Sequence, residues 1–215
     1  DFLKRLKEIG AYRISFGVEC GNPDFRQKVL LRKPTNKEII DSFKVIEQSG
    51  IAFSVNLIIG FPGETRDLTM ETVDLVREIS GYDTITVSIF TPYRGTVLQK
   101  IAVKNGWLDK NHITIHTTSS SVLKMPSPYL SSKDIDGLMK TIPLYVYFPK
   151  SEWANIRKAE EDTNEGKNIL NHYSKIYKEN FLKNNQSDKK VMFNEASDKQ
   201  PTRAKSPDKI AKDNS

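Results

Sequence analysis

Between Ala52 and Ile59 the chain reads Ala-Phe-Ser-Val-Asn-Leu-Ile-Ile, and all but one of the last five residues are apolar. A continuous run of this kind suits a parallel strand buried on both faces better than an alternating, half-exposed one. Helical patterns flank it. Thr35-Asn36-Lys37-Glu38 has the form of a capping box, Ile39, Ile40, Phe43 and Ile46 share one face behind it, and Gly50 is its stop. After the run, Gly60-Phe61-Pro62-Gly63 is a turn, and Leu68, Thr72, Leu75, Val76 and Ile79 trace another amphipathic helix.

The same unit recurs on either side. A helix over residues 2–9 leads through Gly10 to a strand at Tyr12 to Val18. A strand at Thr84 to Phe90 leads to a short helix at Thr96 to Asn105, stopped by Gly106. Alternating helices and strands predict βα units and a parallel sheet. Three strands cannot close an eight-stranded barrel, so the fold class expected is α/β, a partial parallel (βα) barrel.

Beyond Gly106 the pattern changes. Residues 107–130 read as irregular, with a short strand at Ile113-Thr114-Ile115. Ser131 to Ile142 reads as a helix, and Pro143 to Pro149 as an aromatic connector. Ser151 to Leu182 reads as helical with a break near Gly166. The expected division is 1–108 as barrel, 109–182 as a mainly helical extension, and 183–215 as a disordered polar tail.

The net charge of +6 is divided between tail and body, the tail holding eight basic and five acidic residues. The body then has no basic run of five, and nucleic-acid binding is not indicated. No stretch of about 18 apolar residues occurs to span a membrane. The single cysteine, Cys20, excludes an internal disulfide and suits a reducing, cytoplasmic setting. The chain begins within a helical pattern and without Met, which reads as a piece of something longer.

In parallel βα structures functional groups gather where strands end. The three ends here are Gly17-Val18-Glu19-Cys20-Gly21, Asn56-Leu57-Ile58-Ile59-Gly60-Phe61-Pro62-Gly63-Glu64-Thr65, and Phe90-Thr91-Pro92-Tyr93-Arg94-Gly95-Thr96. In this order and spacing they resemble the radical S-adenosylmethionine superfamily, over residues 1 to about 108, as the second half of its barrel. Leu144 to Lys150, with Arg157-Lys158-Ala159-Glu160, is similar to the C-terminal extension of the cobalamin-binding branch, which includes methyltransferase-like and cyclase-type enzymes.

The resemblance implies an enzyme that cleaves S-adenosylmethionine reductively to a 5′-deoxyadenosyl radical. It also implies a [4Fe–4S] cluster, cobalamin, a small-molecule substrate, and a reductant such as flavodoxin or ferredoxin. The cofactor positions it carries over are Glu19, Arg32 and Asn56, with Gly60, Phe61 and Pro62 at the adenine and Pro92 and Tyr93 completing its surface. Relatives often have Asp where Asn56 stands, and Ser where Cys20 stands. The cluster motif C-x-x-x-C-x-x-C is not in this sequence, so this chain is expected to be inactive alone and to contribute no catalytic residue.

Ordinary structural roles stand beside each assignment. Glu19 and Arg32 would serve equally in surface ion pairs, Asn56 in a backbone bond, Gly60 and Gly63 in the turn alone, and Glu64 as a helix N-terminal charge. Tyr93 and Arg94 would serve as rim packing. His112 and His116 lack a third metal ligand. Two other functions remain open: a tRNA methylthiotransferase-like enzyme, and a non-catalytic module that binds S-adenosylmethionine or a partner.

Overall fold

A computed structural model describes residues 2–114 and 120–182. Within it the chain divides at Tyr177/Lys178 into two units, the second described only through a π-helical turn at Lys178–Leu182. The expectations for Ile115, His116 and the tail 183–215 lie outside the described residues.

Three parallel strands, β1 (Arg13–Glu19), β2 (Ala52–Ile59) and β3 (Thr84–Ile89), form one open sheet in sequence order. The helices before β3 are α1 (Phe2–Glu8), α2 (Pro23–Lys28), α3 (Asn36–Ser49) and α4 (Arg66–Arg77). Beyond it come α5 (Val97–Lys104), α6 (Ser132–Tyr147), α7 (Trp153–Lys158) and α8 (Asn164–Tyr177). Thr35 and Glu38 complete the capping box of α3, satisfying N-terminal amides that would otherwise lack partners, and left-handed Gly50 ends the helix.

The sheet is two-faced. Phe53, Val55, Leu57 and Ile59 of β2, with Ile85 and Ile89 of β3, enter a core completed by Phe43 of α3, Val73 and Val76 of α4, and Ile135, Leu138 and Ile142 of α6. The opposite face carries Arg13, Ser15 and Gly17 of β1, then Ser54, Asn56 and Ile58 of β2, then Thr84, Thr86 and Ser88 of β3, set side by side by the register. Ser15, Thr86 and Ser88 are exposed. The expectation that β2 is buried on both sides is therefore corrected. Its apolar ending alternates between a buried row and a half-open row, because helices cover only one face of the sheet.

Two further expectations change and one is made more definite. Residues 113 and 114 belong to no strand. Pro143 lies inside α6 and does not end it: the helix buries Ile135, Leu138, Ile142, Leu144 and Tyr145, and Arg77 of α4 holds the carbonyls of Tyr145, Val146 and Phe148 at 2.7–2.8 Å. This packing outweighs the lost helical bond at Pro143. The break in the C-terminal helices falls at residues 159–163, ahead of Gly166, whose missing Cβ leaves room for the carbonyl of Glu161.

The second half is tied to the first by a half-buried network. Arg66 at the start of α4 forms a two-pronged pair with Glu160, whose carboxylate also accepts the Tyr145 hydroxyl at 2.6 Å and an Arg157 bond. Among the described residues no helix is long and apolar enough to cross a membrane.

Candidate functional site

All three strands end on one rim, and the first ends irregularly. The register slips between Gly17, paired with Asn56, and Glu19, paired with Leu57, so Val18 forms a bulge. Glu19 takes a left-handed backbone, φ 64°, which a non-glycine residue adopts at a cost of about 1–3 kcal/mol. Its side chain folds back over Gly17, where a Cβ would lie 2.0 Å from Oε1, so only glycine fits beneath it.

Arg32 reaches the same place from the other side. Its Nη1 stands 3.4 Å from Glu19 Oε1, and Nη2 donates to the Gly17 carbonyl at 3.3 Å. Burial holds the Glu19 carboxyl above its usual range, against the opposing pull of Arg32, and its Oε2 is buried without a hydrogen-bond partner. An acceptor of this kind, beside a long ion pair, is a natural partner for a ligand hydroxyl or ammonium group.

Around this pair opens a cleft of about 330 Å³, lined with Leu30, Leu31, Ile58, Phe61 and the Thr96–Leu98 segment. That volume is at the lower end of small-molecule sites. Apolar walls with one charged pair at the edge match a flat ring system carrying a polar or zwitterionic end.

The turn behind the cleft is set by Glu64. Its buried carboxylate accepts the Gly60 N–H at 2.6 Å, the Phe61 N–H at 3.0 Å and the Thr69 hydroxyl at 3.1 Å. It is therefore neither a simple helix-end charge nor a ligand contact. Burial without a counter-ion pushes its carboxyl up to about 7, the three donors opposing. Gly60, φ 82°, also presses on Ile135 of α6, which would stand 2.8 Å from any Cβ. Phe61 then packs between Phe25 and Phe90, with an edge on the cleft.

The structure thus brings Glu19, Arg32 and Phe61 together. Asn56 lies beside Gly17 on the polar face, its Oδ1 3.3 Å from the Ser54 hydroxyl. Gly60 and Pro62 are buried and shape the turn without lining the cleft. Pro92 is buried, its carbonyl accepting the Thr114 hydroxyl, while Tyr93 is exposed, and neither lines the cleft. The third strand end contributes through Thr96, Val97 and Leu98 instead. Cys20 is fully buried, its thiol pushed up to about 11 by burial. A lone buried thiol does not fit the three thiolates that an iron–sulfur cluster of this type requires. Among the described residues no three His, Cys, Asp or Glu side chains are grouped to hold a metal.

Comparison with known proteins finds similarity over part of the chain. Residues 1–76 match the radical SAM superfamily. An uncharacterized methyltransferase of Pyrococcus horikoshii is 28% identical over 144 residues, 67% of this chain and 30% of that protein. The tRNA-2-methylthio-N(6)-dimethylallyladenosine synthase of Clostridioides difficile is 36% identical over 86 residues, 39% of this chain and 18% of that protein. The enzyme of the same name from Anoxybacillus flavithermus is 26% identical over 157 residues, 66% of this chain and 29% of that protein. The chain thus spans less than a third of the length of these relatives. Its likeness to the radical SAM superfamily thus rests on the match over residues 1–76 and on these partial relatives.

Proposed function

We propose that this chain supplies the S-adenosylmethionine-binding rim of a radical SAM enzyme, with the sheet serving as part of a barrel. The observation that carries the reading is the strained bulge that sets Glu19 against Arg32 at the mouth of the Phe61 cleft. Arg32 would receive the ligand's carboxylate. Glu19 Oε2 would accept from its ribose or ammonium group, and Ile58 and Phe61 would take the adenine. Held against a reduced iron–sulfur cluster, S-adenosylmethionine would take up one electron, lose methionine and supply a 5′-deoxyadenosyl radical. This chain's own residues contribute orientation, and the thiolates are not among them.

The reaction we favour is methyl transfer, in the cobalamin-dependent branch. Support comes from the resemblance of residues 144–150 and from the methyltransferase name of the Pyrococcus relative. Methylthio transfer to a tRNA is the second reading, favoured by the names of the synthases. The helical character of residues 132–177 weighs toward the first.

The experiment is calorimetric titration of S-adenosylmethionine into the 215-residue chain. Glu19→Ala and Arg32→Ala should each weaken binding at least about tenfold, equivalent to about 1.4 kcal/mol. A wild-type chain that takes up no ligand, or variants that bind as wild type does, would refute the assignment.

A further inference from the structure

Arg26 is 1% exposed, and among the described residues no carboxylate pairs with it. Its guanidinium donates instead to three uncharged acceptors: Nε to the Pro34 carbonyl at 3.0 Å, Nη1 to the Cys20 carbonyl at 2.8 Å, and Nη2 to Asn36 Oδ1 at 2.8 Å. A buried charge without a counter-ion is costly, so its retention asks for a local reason. A planar fork holding donors in fixed directions can bind three separated acceptors at once, which a lysine ammonium cannot do in the same geometry.

Those acceptors bracket the cleft. Cys20 directly follows Glu19, and Pro34 and Asn36 follow Arg32 by two and four residues. The Arg26 main chain closes the loop, its carbonyl accepting the Arg32 N–H at 3.0 Å. The segment between is short and strained: α2 has six residues, with Arg26 its only buried side chain, and Leu31 is left-handed at φ 55°. Among the described residues the other side-chain link between this strand end and the loop is that of Arg32 itself, to Glu19 and the Gly17 carbonyl, and it is longer, at 3.3–3.4 Å.

We propose that Arg26 is a positioning residue of the cleft, holding Glu19 and Arg32 at the separation a ligand requires before it arrives. The ligand's identity rests on the reading given above. The positioning itself is a property of the ligand-free chain and is tested there.

The experiment compares wild type, Arg26→Lys and Arg26→Gln as full chains, at a temperature where circular dichroism shows each folded. The Glu19 carboxyl is followed by carbon-13 NMR through a pH titration, and S-adenosylmethionine is then titrated in. In wild type, burial holds the Glu19 midpoint above the ordinary glutamate value. With the loop released, the midpoint should fall toward that value in Arg26→Gln and fall less in Arg26→Lys. Affinity should drop at least about tenfold in the glutamine variant, with partial recovery in the lysine variant. A purely structural role would lower thermal stability while leaving the Glu19 midpoint in place, and that result overturns the proposal. If the glutamine variant does not fold, the lysine variant decides by the same midpoint. A wild-type chain that binds no S-adenosylmethionine would refute the cleft's ligand, and the Glu19 titration would still judge Arg26.

Discussion

Glu64 offers a perturbation whose size follows from the structure. Its fully buried carboxylate accepts two backbone N–H groups and one hydroxyl, and it titrates near 7 against 4.5 for an ordinary glutamate. Below pH 4.5 the carboxyl is protonated in both the folded and unfolded states. Between 4.5 and 7 the unfolded chain has lost the proton that the folded chain keeps, so stability falls as pH rises through this window. Above 7 the loss is complete, about 3 kcal/mol for a displacement of this size. Glu64→Gln fixes the uncharged form. Its amide oxygen can accept both N–H groups, and its NH2 can donate to Thr69 if that hydroxyl turns to accept. Urea unfolding at pH 5, 6, 7 and 8 should show the variant near wild type at pH 5 and gaining on it by up to about 3 kcal/mol at pH 8. The other carboxyls that burial raises, Glu19 and Glu160, titrate in both proteins and cancel in the difference. A difference that does not change with pH, or a variant weaker by about 2 kcal/mol at pH 8, would mean that the N–H bonds govern and desolvation does not.

Two further outcomes follow from the packing. Arg66→Met should cost about 2–4 kcal/mol in urea unfolding, because it strands the Glu160 carboxylate, whose side chain is only 7% exposed, beside the Tyr145 hydroxyl. A loss under about 0.5 kcal/mol would show that Arg157 alone satisfies Glu160. On the outer edge of β1, where no described strand pairs, Phe16 is 37% exposed and makes an edge-on contact with Phe43. Phe16→Lys should lose about 1 kcal/mol of stability yet reduce concentration-dependent association in light scattering, since a lysine on a bare edge opposes strand pairing. Unchanged association would place the sticky surface elsewhere.

What the sequence disclosed, and what it concealed, divides along physical lines. The limits of β2 and the capping box of α3 were legible because each is a local pattern: an apolar run ended by Gly60, and Thr35 three residues before Glu38. The convergence of Glu19 and Arg32 was legible only through the strand-end motifs, since no periodicity links residues on a bulge and a loop. Pro143 misled because helix propensity is local, whereas α6 is held by its buried face and by Arg77, more than sixty residues earlier. The polar face misled differently. Thr84-Ile85-Thr86-Val87-Ser88-Ile89 alternates openly, but the apolar ending of β2 outweighed it, with Asn56 standing as an exception when it belonged to a row shared with Gly17 and Thr86.

Arg26 and Glu64 gave the least signal, for one shared reason. Each is a charged residue on a short helix or turn, where composition predicts a solvated surface group. Each is instead buried, with two of its three side-chain bonds made to backbone. Backbone amides and carbonyls are present at nearly every position, so a partner of that kind leaves no mark in the sequence. Both residues hold the backbone of the strand ends that frame the cleft, Arg26 at Cys20 and Glu64 at Gly60 and Phe61. A rim built from a strained Glu19 and left-handed residues at Leu31, Gly60, Gly63 and Gly95 has little regular hydrogen bonding of its own. Buried charged groups, able to accept or donate several strong bonds from one point, fix such a surface better than apolar packing, which is non-directional. The cost of burying them is therefore the cost of holding the cleft open in one shape.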